Sequence, residues 1–169
     1  MSKEKIKYYQ EWETPPKLFE LLDSIYHFDF DLAANVDNAK CKHYFTRKED
    51  ALRQNWSGLG NLFCNPPHAP TVQTDFINKA YYESLKPTTG VICILVPART
   101  DTLRWHNFIL GKASIYFIQG RIRFHYNHKE WEDHSTFPSA IIIFNEPEDA
   151  NKKLLEQHGI RSPKFKEYL

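Results

Sequence analysis

Four consecutive residues, Asn65-Pro66-Pro67-His68, carry the clearest chemical pattern in this chain, and they follow a short apolar run over 61–64. Each proline lacks a backbone N–H and has a fixed φ, so this corner continues neither a helix nor a central strand. The corner therefore presents oxygen acceptors with few donors beside them. A planar base with an exocyclic amine fits such acceptors, and the ring of His68 could lie over that base. The pattern predicts an enzyme that transfers a group to a nucleobase amine.

Length and composition indicate an ordinary globular protein. The chain has 169 residues, of which 41% are hydrophobic and 25% charged, enough to bury a sizeable core. Its three cysteines form no CxxC pair, and its first residues contain no apolar signal core. No run approaches the ~20 apolar residues of a membrane span. We expect one domain over 1–169 in the cytoplasm, with a core over 10–145 and a C-terminal helix and tail over 146–169.

Charge is distributed unevenly along the chain. The segment from Arg99 to Lys129 contains six basic residues and one acid, whereas the whole chain carries a net charge of only +1. A basic region on a mildly acidic body can mark contact with phosphates. A solvated surface explains the same pattern equally well.

Hydrophobic periodicity predicts strands and helices in alternation. Thr14 can cap a helix whose first turn takes Pro15 and Pro16. Further helices are expected over 74–85 and 102–110, and strands over 28–32, 61–64, 91–96, 114–118, 121–124 and 140–144. The strands 114–118 and 121–124 would form a hairpin through Gln119-Gly120.

This alternation predicts an α/β fold with a mixed sheet. In open α/β sheets, ligands bind outside the carboxyl ends of the strands. Polar loops follow three predicted strands, after Leu32, Cys64 and Val96. We therefore expect these three loops to form the functional site.

Five short motifs reinforce that expectation. In chain order they are Trp12-Glu13-Thr14-Pro15, Asp31-Leu32-Ala33-Ala34, Asn65-Pro66-Pro67-His68, Pro97-Ala98-Arg99-Thr100-Asp101-Thr102 and Gly120-Arg121-Ile122-Arg123-Phe124. Together they resemble the phage-type DNA N6-adenine methyltransferase (Dam) family, a branch of the S-adenosylmethionine-dependent amino-methyltransferases. The resemblance covers roughly residues 10–145, and its specificity comes from the order and spacing of the motifs.

The resemblance implies a Rossmann-like methyltransferase fold, with helices on both faces of a mixed sheet and a C-terminal β-hairpin. It also implies S-adenosylmethionine as the cofactor, DNA as the partner and the N6 amine of adenine as the methyl acceptor. Such a protein belongs to a phage or prophage and works in the cytoplasm of a bacterial host, in the setting of restriction and modification. Neither a membrane nor a metal is implied, and the sequence does not indicate an oligomeric state.

The resemblance places catalysis at Asn65, Pro66, Pro67 and His68. The side-chain oxygen of Asn65 and the carbonyl of Pro66 would each accept one N–H bond from the amine. This localises the nitrogen lone pair for in-line attack on a sulfonium methyl. The target base must first leave the DNA stack. The family usually has Tyr or Phe where this chain has His68, which is smaller and ordinarily titrates near neutral pH; a loop residue without base contact is the alternative.

The implied cofactor-binding residues are Trp12, Thr14, Pro15, Asp31, Ala33, Ala34, Asp50, Leu52 and Asn65. The carboxylate of Asp31 would hold the cofactor's amino group. The small side chains of Ala33 and Ala34 would allow close approach of its methionine portion, in place of the usual glycine-rich turn.

Each of these assignments has a structural alternative. The carboxylate of Asp31 could cap a loop, and Trp12 could be a core residue. Thr14 could do no more than cap a helix. The pair Asp50 and Leu52 is expected to bracket the cofactor's adenine ring, but Asp50 could instead be a surface carboxylate.

Arg99, Thr100, Arg121 and Arg123 are the candidate DNA-contacting residues, together with the aromatic-rich loop 124–131. Phosphate contacts from arginines would make binding depend strongly on salt. For Arg99, a structural salt bridge is the alternative.

Other functions remain open at this stage. Cytosine-C5 methylation needs a thiolate, but none of Cys41, Cys64 and Cys93 lies in a Pro-Cys pair. The histidines at 125, 128 and 134 match no common zinc spacing. The main rivals are a catalytically inactive methyltransferase fold that binds nucleic acid and an N4-cytosine methyltransferase, since the same corner can bind that amine.

Overall fold

The computed structural model describes residues 12–163, whose main feature is a seven-stranded mixed sheet. The elements in chain order are α1 (Pro16–Tyr26), β1 (Phe30–Asp31), β2 (His43–Tyr44), β3 (Leu62–Cys64), α2 (Pro70–Ser84), β4 (Ile92–Pro97), α3 (Leu103–Phe108), β5 (Ser114–Ile118), β6 (His125–Tyr126), β7 (Lys129–Glu130), β8 (Ser139–Phe144), α4 (Lys152–Gln157) and β9 (Ile160–Arg161). A short 3-10 turn covers Ala51–Arg53. None of the helices described is long and apolar enough to cross a membrane.

The strands of the sheet lie in the order β2-β1-β3-β4-β8-β5-β9. The first four in this order are parallel, and β8 runs antiparallel to both β4 and β5. We call the side on which β1, β3 and β4 end the carboxyl edge, and the side on which they begin the amino edge. The strands β4 and β8 are buried along their whole length, which explains their continuous apolar sequences.

Successive residues of the central strands face two separate cores. Ile94 packs with Ile77 of α2 and Trp105 of α3. Leu95, the next residue of β4, packs on the opposite face with Leu22 of α1. Because side chains alternate along a strand, both faces are apolar and both are covered. The expected mixed sheet with helices on both faces is confirmed.

The expected hairpin between 114–118 and 121–124 is wrong. Residues 121–124 form no strand, and β5 pairs with β8 and β9 instead. In the sequence, Ile122 and Phe124 alternate with Arg121 and Arg123, as they would in a strand. The reason is burial: the two apolar side chains lie in the core, at 7% and 2% exposure, whereas the arginines are exposed. The hairpin that does form joins β6 to β7 through Asn127 and His128, which have φ values of 48° and 62°, as a tight two-residue turn requires.

Two helix starts also differ from expectation. Pro15, with no side-chain cap, takes the N-cap position of α1, so Thr14 does not cap this helix. The hydroxyl of Thr14 is buried and has no hydrogen-bond partner within residues 12–163. The helix α2 begins at Pro70, four residues before the predicted start, because proline suits a first helical turn. The corner at Asn65 therefore leads almost directly from β3 into α2.

Candidate active site

The corner that follows β3 leaves the sheet at its carboxyl edge. The side-chain Nδ2 of Asn65 donates a hydrogen bond to the Trp12 carbonyl, at 2.8 Å. This bond fixes the carboxamide, so its Oδ1 is available as an acceptor on the other side. Pro66 is buried, and no N–H or O–H group in the described part of the chain donates to its carbonyl. Neither of the two oxygens on which the amine-binding prediction depends thus receives a short hydrogen bond from the described residues.

His68 lies against three aromatic rings. Its ring centroid is 5.4 Å from Trp12, 5.1 Å from Phe124 and 5.4 Å from Phe137, in edge-on geometry. The His68 Nε2 lies 3.4 Å from Oδ1 of Asn65, an oxygen that can only accept, so this contact favours the tautomer with the proton on Nε2. The Nδ1 atom is buried and meets no donor among residues 12–163.

Burial lowers the pKa of His68 to about 4. The imidazole is therefore neutral near pH 7, although the ordinary histidine pKa would allow partial protonation there. A neutral ring can pack among aromatic side chains without the cost of a buried charge.

The segment Trp12–Thr14 joins the corner to the β6–β7 hairpin. The backbone of Glu13 pairs with that of His125 through two hydrogen bonds of 2.8 and 2.9 Å. The buried carboxylate of Glu13 lies 3.4 Å from Nδ1 of His128. Because the Trp12 carbonyl also accepts from Asn65, this segment links the position of the hairpin to that of the Asn65 carboxamide.

Asp31 ends β1, the strand beside β3, and its side chain is only 3% exposed. Its carboxylate accepts hydrogen bonds from the backbone N–H groups of Ala33 and Lys40, both at 3.1 Å. Burial raises the pKa of Asp31 to about 6, an effect that the two amide bonds only partly oppose. Asp31 thus organises its loop, as the structural alternative held. It is also an anionic group that a positively charged ligand would stabilise.

The remaining cofactor candidates lie on the same side of the sheet. Ala33 and Ala34 are half-buried in the loop after β1, where the Ala34 N–H donates to the Phe45 carbonyl at 3.1 Å. The carboxylate of Asp50 accepts from the Leu52 N–H at 3.2 Å and pairs with Arg53 at 3.3 Å. Asp50 therefore has a local structural role after the outermost strand β2.

The candidate DNA-contacting residues differ in their surroundings. Arg99 and Thr100 are exposed in the loop after β4, and Arg99 forms no ion pair with any residue between 12 and 163. Arg121 is exposed as well. The guanidinium of Arg123, in contrast, pairs with Glu130 at 3.0 Å and donates to His134 at 3.2 Å. Its charge is therefore partly neutralised within the protein.

The structure also divides the basic segment. Lys112 precedes β5, a strand that runs antiparallel to β8, so it lies at the amino edge, away from Arg99. A run of positive charge in the sequence is thus split between opposite edges of the sheet.

Sequence reasoning missed Arg104, a buried cation beside the site. It is 5% exposed, and its guanidinium donates to the Pro70 carbonyl at 3.1 Å and lies 3.4 Å from the Thr74 hydroxyl. Burial, together with nearby Arg99, lowers its pKa from the ordinary value. The contact ties the start of α3 to the first turn of α2, just after the corner. The sequence contained one indication that Arg104 is buried: it stands next to Trp105, the apolar residue that anchors α3.

The aromatic partners of His68 were missed as well. Phe124 and Phe137 lie in loops far along the chain from the corner, and nothing in their local sequence points to His68.

The thiols do not supply a nucleophile. Burial raises the pKa of Cys64 and Cys93 above the ordinary value, and raises that of Cys41 to about 12. All three are protonated at neutral pH, whereas cytosine-C5 methylation needs a thiolate. Within residues 12–163, no three His, Cys, Asp or Glu side chains are grouped as a metal ion would require.

A mixed α/β sheet with an Asn-Pro-Pro corner at its carboxyl edge, beside a buried acid on the next strand, indicates the class of amino-methyltransferases. The comparison with known families makes this specific. Residues 1–162 match the family described as DNA N-6-adenine-methyltransferase (Dam). The chain belongs to this family, whose activity is methylation of the N6 amine of adenine in DNA.

Two curated proteins are similar to the chain. A DNA N-6-adenine-methyltransferase of Haemophilus phage HP1 (strain HP1c1) is 27% identical over 139 residues, which cover 79% of this chain and 77% of the phage protein. YfdM of Escherichia coli (strain K12), which is named as a methyltransferase, is 36% identical over 64 residues, which cover 34% of this chain and 70% of YfdM.

Proposed function

We propose that this protein transfers the methyl group of S-adenosylmethionine to the N6 amine of adenine in DNA, with Asn65 and Pro66 as the groups that bind the amine. The observation that carries this proposal is the hydrogen bond from Asn65 to the Trp12 carbonyl, at 2.8 Å. It determines which end of the carboxamide is available to the substrate.

The adenine amine needs this assistance because its lone pair is delocalised into the ring. Two oxygens that each accept one N–H bond favour a more pyramidal nitrogen, whose lone pair is available for attack. The Oδ1 of Asn65 and the carbonyl of Pro66 supply these acceptors. The base must displace or share the 3.4 Å contact between Oδ1 and His68, which is long for a hydrogen bond and therefore weak.

His68 forms one wall of the proposed base site. The rings of Trp12, Phe124 and Phe137 hold the imidazole in place. Since burial lowers its pKa to about 4, the imidazole stays neutral and does not repel a sulfonium cation nearby. A neutral histidine can thus replace the Tyr or Phe that the family usually has there.

The residues at the end of β1 fit the proposed cofactor. The Asp31 carboxylate is buried with a raised pKa and forms no ion pair with residues 12–163, although the Lys40 charge attracts it from a longer distance; the amino group of S-adenosylmethionine would complement it. The buried hydroxyl of Thr14 would gain a polar partner from the same molecule. When bound, the cofactor supplies an electrophilic methyl group, and these residues orient it toward the corner.

On the DNA side, the exposed arginines at 99 and 121 are the groups proposed to bind phosphate. Arg123 contributes less in this proposal, because Glu130 already pairs with it at 3.0 Å. Contacts with Glu13 hold the β6–β7 hairpin beside the corner.

The test is transfer of label from tritiated S-adenosylmethionine to unmodified DNA, followed by digestion to nucleosides and chromatography. We expect label on N6-methyladenine, and an Asn65→Ala control should produce it at a rate about 10²–10³-fold lower. Label on N4-methylcytosine would show that the same corner serves the other amine. DNA binding without label, at enzyme concentrations near those of the DNA, would support the inactive fold instead.

A further inference from the structure

Leu103, the first residue of α3, is the most exposed of the large hydrophobic side chains in the described part of the chain. It is 79% exposed. It follows the loop that leaves β4, the strand next to β3, so it lies at the carboxyl edge beside the proposed base site. Single exposed leucines are common on protein surfaces, so position and surroundings must decide whether this one has a function.

The backbone around Leu103 is fixed on both sides. Before it, the Thr102 hydroxyl donates to the Arg99 carbonyl at 2.7 Å. After it, Trp105 is fully buried, and Arg104 reaches across to the Pro70 carbonyl at 3.1 Å. The leucine is therefore displayed from a turn that is tied to the first turn of α2, just after the corner.

Two arginines and one acid lie within four residues of this leucine, namely Arg99, Arg104 and Asp101. Arg99 is exposed, and its proximity to the buried Arg104 is one cause of the lowered pKa of Arg104, which Asp101 only partly opposes. Two arginines that repel each other are stabilised when an anion binds between or beside them. The other highly exposed aliphatic residue at this edge is Val36, at 78%, and its neighbour in the chain is Asp37. The charge pattern therefore favours a phosphate-bearing partner at Leu103.

We propose that Leu103 is an apolar wedge that enters duplex DNA next to the target adenine and occupies the space that the flipped base leaves. This inference rests on the proposed function. Removing a base from the stack exposes the apolar faces of its neighbours, and an inserted aliphatic side chain covers them. Arg99 would bind the adjacent phosphate. Arg104, through its contact with Pro70, would fix the position of Leu103 relative to Asn65.

The experiment compares single-turnover methylation of two duplexes, one with a paired target adenine and one with the same adenine mispaired. A mispaired base costs less to flip, so it needs the wedge less. For Leu103→Ala we expect about a tenfold loss on the paired duplex, equivalent to the loss of one favourable contact, and less than a twofold change on the mispaired one. Leu85→Ala is the matched control, because Leu85 is 63% exposed at the end of α2, toward the amino edge; it should match wild type on both duplexes.

A second measurement reports flipping directly. With 2-aminopurine at the target position, wild type should raise the fluorescence, and Leu103→Ala should raise it several-fold less. Equal activity of Leu103→Ala and wild type on the paired duplex would overturn the wedge, as would equal losses on both duplexes. A wild type that methylates neither duplex would contradict the proposed function itself, so the two failures are distinguishable.

Discussion

The two edges of the sheet bury polar groups in different ways. At the amino edge, the Glu146 carboxylate accepts hydrogen bonds from the Tyr26 and Tyr116 hydroxyls, each at 2.7 Å, and pairs with Lys152 at 3.2 Å. Burial favours protonation of Glu146, but the Ser114 side chain together with these donors outweighs it and holds its pKa below the ordinary value. Nearby, Asn61 donates to the Tyr26 carbonyl and accepts from the Val91 N–H.

At the carboxyl edge, several buried polar atoms lack partners among the residues described. These are Thr14 Oγ1, His68 Nδ1, Gln73 Nε2, Arg104 Nε and Ser139 Oγ. Asp31 has a pKa raised by burial, and the pKa of His68 is lowered by burial. Thr89 Oγ1 and Glu146 Oε2 are similar buried atoms toward the amino edge, although the Glu146 oxygen lies 3.2 Å from the Lys152 ammonium.

Folded proteins generally satisfy their buried polar groups, so unsatisfied ones need an explanation. The amino edge has a nearly complete set of partners and contributes stability. The carboxyl edge keeps donors, acceptors and a carboxylate without an ion-pair partner among the described residues, and ligand-binding sites commonly show such perturbed groups. The contrast indicates which polar residues affect folding and which affect turnover.

Asn65→Ala should give the largest effect. Removing the acceptor that polarises the amine should lower kcat about 10²–10³-fold, the usual cost of losing one transition-state hydrogen bond. The free energy of unfolding should fall by only about 1 kcal/mol, for the lost bond to Trp12. Single-turnover kinetics and urea unfolding measure the two quantities. If the variant were strongly destabilised but its folded fraction kept the wild-type kcat, the role of Asn65 would be structural rather than catalytic.

Glu146→Ala should show the opposite pattern. Two tyrosine hydroxyls and a lysine would lose their partner, which should cost about 3–5 kcal/mol of stability. Turnover per folded molecule should not change. Urea unfolding together with activity normalised to the folded fraction checks this, and a reduced kcat in the folded fraction would contradict the separation of the two edges.

Asp31 predicts a pH dependence of stability. Its pKa is raised from 3.8 to about 6 in the folded state, so the folded protein binds this proton more tightly than the unfolded chain does. The stabilisation from the protonated form is complete below pH 3.8 and is lost as the pH rises to about 6. Relative to Asp31→Asn, wild type should lose up to about 3 kcal/mol across this range.

The measurement for Asp31 is urea unfolding of wild type and Asp31→Asn at a series of pH values. The pKa of His68, lowered to about 4, gives a slope of opposite sign, but both proteins contain His68, so it cancels in the difference. Parallel curves for the two proteins would show that the carboxylate titrates as it does in the unfolded chain.

Arg99→Ala and Lys112→Ala compare one exposed cation from each edge. Loss of Arg99 should weaken DNA binding several-fold and reduce the slope of log affinity against log salt by about 1. Lys112→Ala should leave that slope unchanged, because Lys112 lies at the amino edge. Fluorescence anisotropy at several salt concentrations measures both, and equal slopes for the two variants would argue against an edge-specific DNA surface.

His68→Tyr should have the smallest effect. A larger aromatic ring offers more stacking surface to the proposed base, so methylation should be preserved or increased. Steady-state kinetics with a fixed duplex provides the measurement. Complete loss of activity would mean that His68 does more than form a wall of the base site.

Much of the central sheet was predictable from the sequence. The apolar runs over 91–96 and 140–144 correspond to β4 and β8 with shifts of one residue, and 114–118 matches β5. Two-residue strands such as β2 and β9 were missed, because so short a segment has no measurable periodicity. The strand expected over 121–124 was wrong because Ile122 and Phe124 alternate for burial in a loop rather than for pairing.

The candidate site was predictable in part. The acceptor corner could be recognised from Asn65 and the two prolines, because proline restricts the local backbone whatever its surroundings. The groups that orient the corner could not, since Trp12 lies 53 residues before Asn65, and the aromatic contacts of His68 come from loops far along the chain. No local pattern encodes such contacts.

The sequence by itself determined the rigid corner, the apolar strands that place it at a sheet edge, and the motif order that indicates the family, because these depend on local geometry and residue type. The tertiary structure decided the orientation of the Asn65 carboxamide, the neutral state of His68, the raised pKa of Asp31 and the pairing of Arg123 with Glu130. These properties depend on burial and on partners that only folding brings together, since both set the free energy of each charge and hydrogen bond.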